Sequence, residues 1–171
     1  YLVAPPSNPS GVVQGGHIVR IYGNVDGTVL TYEGTAPAGA PSSINAGDVV
    51  ELAKTTGAFK VVGSQPFAVG SFMLGGALQG AGMCPHYPCS GDPAFSMMVT
   101  PEQFRKAYTF LAPTDYDANF ADVLIPDEAT SVMIDGMAVT ATEIVAPGWK
   151  VARVALTGGA GGAHTLVADA P

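Results

Sequence analysis

Apolar and polar positions along this chain come in short runs rich in β-branched and aromatic residues, each closed by glycine, proline, asparagine or aspartate. Such spacing predicts strands rather than helices. His17 to Tyr22 reads as a strand, Asn24 to Gly27 as a turn, and Thr28 to Glu33 as the hairpin partner of the first strand. Thr35 to Ser43, rich in Ala, Gly and Pro, reads as a loop. Strands follow at Asp48 to Lys54 and Ala58 to Val62, split by the Thr-Thr-Gly turn at 55–57, and at Phe67 to Leu74, entered through Pro66. Gly75 to Pro93 is a long irregular insertion.

Met97 to Thr100, Tyr108 to Ala112, Phe120 to Ile125, Ser131 to Ile134, Ala138 to Val145, Lys150 to Leu156 and His164 to Ala168 continue the series. Asp135-Gly136 is a two-residue hairpin signal. The single helical turn expected is Pro101 to Arg105, with Thr100 as its cap and proline in the first position. About a dozen strands joined by tight turns predict an all-β fold, an antiparallel β-sandwich or jelly-roll-like arrangement with at most one short helix. The expected organisation is an extended N-terminal arm over residues 1–16 and one β-sandwich domain over 17–171, without tandem repeats.

Composition changes the picture in one respect. Hydrophobic residues make up 47% of the 171 residues, enough for a real core, but only 12% are charged, about half the usual share. The balance is acidic, 14 Asp and Glu against 7 Lys and Arg. The bases are scattered apart from Arg105-Lys106, so the clustered cations that bind nucleic acid or an anionic membrane surface are missing. Val61 to Gly91 carries no formal charge, but its prolines and glycines interrupt any span of about 20 apolar residues. It reads as a buried strand running into a loop. The chain starts at Tyr1, as a processed chain or a fragment does.

Candidate chemistry is sparse. Cys84 and Cys89 flank Pro85-His86-Tyr87-Pro88, and one even pair at short spacing points to a local disulfide and an oxidising compartment. The rival reading, a metal site from Cys84, His86 and Cys89, lacks a fourth ligand. No Gly-x-Ser-x-Gly elbow accompanies His17, His86 or His164, so no catalytic residue is assigned and no cofactor is expected. Asp115 and Asp117 are weak calcium candidates, with a solvated loop as the simpler reading. Nine aromatics at strand positions (Phe59, Phe67, Phe72, Phe95, Phe104, Tyr108, Phe110, Tyr116 and Phe120) are expected mostly in the core. Trp149, after the Pro147-Gly148 turn, is a possible partner contact or a core residue. Tyr1, Leu2 and Val3 begin the apolar arm and are possible partner contacts, able to complete a neighbour's sheet or to pack on their own domain.

One order of segments is familiar. Phe59-Lys60-Val61-Val62-Gly63-Ser64-Gln65-Pro66-Phe67-Ala68-Val69-Gly70 precedes Gly91-Asp92-Pro93, Thr100-Pro101-Glu102-Gln103-Phe104 and Tyr108-Thr109-Phe110-Leu111-Ala112-Pro113. Asn119-Phe120, Ile134-Asp135-Gly136 and Gly162-Ala163-His164-Thr165-Leu166 follow. Over residues 17 to 169 the chain resembles the N-terminal domain family of IgGFc-binding proteins, known from mucin-like animal secretions and large bacterial surface proteins. The resemblance implies secretion, a β-rich fold, and adhesion or protein binding without catalysis. An immunoglobulin ligand is not carried over, and the family supplies no ligand-binding residues to transfer. Relatives continue into one more apolar strand after the equivalent of Asp169-Ala170-Pro171, and the cysteine loop is an individual elaboration.

The expected function is a non-catalytic extracellular or cell-surface module for adhesion or assembly, acting by protein–protein contact, with self-association through strand addition as one form of it. The alternative is a carbohydrate-binding module using exposed aromatics.

Overall fold

The computed structural model describes residues 1–7, 15–78, 93–116, 118–156 and 162–171. Cys84, Cys89, His86 and Asp117 lie outside the described residues. The fold is all-β and antiparallel: the described residues hold fifteen strands, no α-helix, and two single turns of 3₁₀ helix at Gly76–Leu78 and Pro101–Gln103.

The first half contains β1 (Leu2–Val3), β2 (His17–Gly23), β3 (Thr28–Gly34), β4 (Ser43–Ile44), β5 (Val49–Thr55), β6 (Phe59–Gly63), β7 (Phe67–Met73) and β8 (Phe95–Met97). They form two four-stranded sheets, ordered β1-β6-β3-β4 and β5-β2-β7-β8. Alternation decides the packing. In β2, His17, Val19 and Ile21 point inward and are buried, while Arg20 and Tyr22 point out. Val19, Ile21, Leu52 and Val69 of one sheet meet Val3, Leu30, Ile44, Phe59 and Val61 of the other in one core, at an approximate gain of 25 cal/mol per Å² of apolar surface buried.

The expected hairpin between β2 and β3 is not formed. β2 pairs with β5 and β7, and β3 pairs with β4 and β6. The segment between them is an arch that crosses from sheet to sheet, pinned where the Thr28 hydroxyl donates to the Val25 carbonyl at 2.7 Å. A hairpin would put both apolar faces on one side, whereas this core needs Val19 and Leu30 to face each other.

The second half contains β9 (Ala107–Leu111), β10 (Asn119–Pro126), β11 (Val132–Ile134), β12 (Met137–Ala138), β13 (Glu143–Ala146), β14 (Trp149–Leu156) and β15 (Ala163–Ala168). Two more sheets result, β10-β14-β13 and β12-β11-β15-β9. Ile125 and Ala152 of the first pack on Val132, Ile134 and Leu166 of the second. The Asp135-Gly136 hairpin forms as expected, with φ of 51° and 78° at its two turn residues, the left-handed pair a two-residue turn requires. The run Ala138 to Val145, expected as one strand, is broken into β12 and β13.

A third apolar seam joins the halves. Leu2, Val145 and Val151 form its buried centre, with Ala4, Ala58, Phe104, Leu124 and Trp149 around them. Sheet β10-β14-β13 therefore has two apolar faces, one on each side. Of the two alternatives expected for Tyr1, Leu2 and Val3, the structure shows packing on their own domain. Leu2 and Val3 are 0% exposed and pair with Lys60 and Phe59 of β6. The Tyr1 hydroxyl donates to the Phe67 carbonyl at 2.8 Å, and its ring meets Phe67 edge-on. Three apolar residues in a row gain more from their own core than from water.

Candidate functional site

Two sheet edges in the second half come together without covering each other. Among the described residues β9 pairs only with β15, and β10 only with β14. Between them lies an apolar groove of about 490 Å³. It is lined by Tyr108 and Phe110 from β9, Ala121 and Val123 from β10, and Leu166 and Ala168 from β15. Small side chains, Ala121 and Ala168, are part of its lining. Sheets pack about 10 Å apart, and alanines at 121 and 168 do not span that distance. Tyr108 is left 42% exposed at the mouth.

Antiparallel alternation fixes which backbone groups of β9 are free. The amide of Ala112 donates to Gly162 and that of Ala168 to Lys106, so residues 106, 108, 110 and 112 face β15. Ala107, Thr109 and Leu111 therefore turn their N–H and C=O groups to the side that no described strand covers. Within β9 itself there is no charge, proline or bulge, and Leu111 is 76% exposed. Edges of this kind are templates for an added strand. Arg105 and Lys106 stand at its start and Asp115 lies beyond its end. Arg105 forms no ion pair among the described residues.

His164 sits on β15 near the groove. Its Nδ1 lies 2.6 Å from an Asp135 carboxylate oxygen, and its ring stacks on Phe110 with centroids 5.5 Å apart. Asp135 also accepts the Thr165 amide at 2.8 Å. These contacts hold the Asp135 carboxyl below the usual range, the His164 hydrogen bond contributing most. The pair clamps a hairpin to the neighbouring strand. The hairpin signal was readable in the sequence; its link to His164 was not, because 29 residues separate the partners.

His17, in the first half, is fully buried. Its Nδ1 lies 2.7 Å from the Ser71 hydroxyl, and its Nε2 has no partner among the described residues. Burial, with the positive charge of Arg153 as a lesser cause, lowers its pKa to about 4. Arg153 itself ties the seam. It pairs with Glu143 at 3.0 Å and Asp122 at 3.2 Å, and donates to the Pro5 carbonyl at 2.8 Å.

A second exposed feature is the outer face of sheet β5-β2-β7-β8. The rings of Tyr22 and Phe95 lie over Gly70, where an added Cβ would come within 2.8 Å of the Phe95 ring. Phe72 packs against Phe95 at 4.6 Å and takes the Arg20 guanidinium on its face. Arg20 is held by Glu51.

The sequence-predicted residues are scattered rather than gathered. Trp149 is half-buried in the seam, edge-on to Phe104 at 5.8 Å. Asp115 is exposed in the β9–β10 loop, and among the described residues no three metal-ligating side chains come together. Among the expected core aromatics, Phe59 is buried, whereas Phe95 and Tyr116 are exposed. No described helix is long and apolar enough to cross a membrane. The groove escaped sequence reasoning because strand order, which leaves β9 and β10 as edges, is not written in local pattern.

These features define a module of stacked antiparallel sheets with an open apolar edge. The chain belongs to the IgGFc-binding protein family, whose model, described as IgGFc binding protein, matches residues 1–171, the whole chain. No curated protein and no solved structure matches it.

Proposed function

We propose that this chain is a non-catalytic extracellular module that acts by binding a protein partner, with the groove between β9 and β10 as the contact surface. The observation that carries the reading is an unprotected edge strand beside an unfilled apolar groove, the kind of feature that marks interaction sites. Family membership supports a protein partner. The commitments of His17 to burial and of His164 to Asp135 and Phe110 support a structural role for both. The family's description supplies the first partner to try, the Fc fragment of immunoglobulin. The test pairs surface plasmon resonance against Fc and purified secreted proteins with fluorophosphonate labelling. Saturable protein binding without labelling is expected; a labelled serine sinks the non-catalytic reading.

A carbohydrate-binding reading draws on a different observation, the Tyr22, Phe72 and Phe95 rings on one sheet face. Aromatic faces of this kind stack on sugar rings. A glycan array with the Phe95→Ala variant as control tests it, and signal that survives the substitution argues against this face.

A further inference from the structure

We propose that the groove takes an extended segment of a different protein, which adds to β9 as a further strand. The inference rests on the protein-binding reading and specifies its geometry and chemistry. Three features favour a strand over a compact apolar molecule. The outward groups of Ala107, Thr109 and Leu111, unpaired among the described residues, form a row at strand spacing along the rim, and only a peptide backbone satisfies donors and acceptors repeated in that way. The groove beside the row accepts side chains from one face of such a strand, every second residue. The alanines at 121 and 168 leave room for branched apolar side chains at those alternate positions.

Charge sets the partner's ends. In a protein of net charge −7, the single adjacent pair of basic residues, Arg105-Lys106, stands at the start of β9. Asp115 stands beyond its other end. An incoming segment with an acidic residue opposite Arg105 and a basic or neutral residue opposite Asp115 meets both. The chain's own apolar start cannot be the donor, since Leu2 and Val3 are consumed in the core.

The probe is a library of nine-residue peptides, apolar at alternate positions and random elsewhere, selected on the intact domain. Enriched peptides are expected to carry an acidic residue at one end and to slow hydrogen exchange at the Thr109 and Leu111 amides. Thr109→Pro removes an outward N–H without touching the β15 ladder, and Arg105→Glu reverses the charge at the mouth. Each should weaken binding by about tenfold or more, with thermal unfolding confirming that both variants fold. A library that yields no binder, or binders indifferent to both substitutions, overturns the proposal. So does concentration-dependent self-association abolished by the same two substitutions, which would make the occupant a second copy. A protein partner that still binds the Thr109→Pro and Arg105→Glu variants overturns the strand proposal alone and leaves the protein-binding function standing.

Discussion

At the residue scale, the two described histidines show how one side-chain type serves opposite electrostatic settings. His17 is neutral when folded, with a pKa near 4, against about 6.5 in the unfolded chain. Below pH 6.5 the unfolded chain takes up a proton that the folded one refuses, so stability is full above pH 6.5 and falls as pH drops toward 4. The linked loss is about 3 kcal/mol. Urea midpoints measured from pH 7 to pH 4 should show that fall, and His17→Leu should flatten it whatever its effect at pH 7. At Asp135 the backbone is left-handed, with φ of 51°, and asparagine tolerates that conformation better than alanine. Asp135→Asn should therefore keep more thermal stability than Asp135→Ala. The depressed Asp135 carboxyl adds a second acid-sensitive contribution, present above its unfolded pKa and lost as pH falls below it. Alternation made the burial of His17 readable from its neighbours Val19 and Ile21. The partners Ser71 and Asp135 were not readable, because they arrive from strands distant in sequence.

At the element scale, strand positions were legible and strand partners were not. His17–Gly23, Phe67–Met73 and Trp149–Leu156 fall where period-two patterning and turn residues put them. The β2–β3 connection looked like a hairpin because Asn24 to Gly27 is rich in turn residues, and turn chemistry is the same for an arch between sheets. The brief β1 was hidden for another reason: two residues carry no period. Its weight is nonetheless testable. Leu2→Ala removes a fully buried side chain from the seam and should cost about 3 kcal/mol in chemical denaturation. A cost below ~0.5 kcal/mol would mean that Leu2 is not held in the seam.

At the scale of the whole molecule, low charge leaves a few ion pairs to do positional work. Arg153, with its side chain 10% exposed, joins β14 to Glu143 of β13, to Asp122 of β10 and to the Pro5 carbonyl of the entering chain. Arg153→Ala should destabilise by about 2 kcal/mol, because it strands carboxylates that remain partly in water. Arg153→Lys should recover only part of that loss, since one ammonium cannot reach three acceptors as the guanidinium fork does. Differential scanning calorimetry of the two variants checks both. The same seam carries a mechanical consequence. If tension is applied at Tyr1 and Pro171, it loads the β1–β6 pairing of two residues before any longer ladder. Drawing Leu2 out removes one member of the cluster that both halves share. Stretching single molecules should therefore show a low-force first rupture, with the larger sheets yielding afterwards, so that β1 acts as the fuse of the fold.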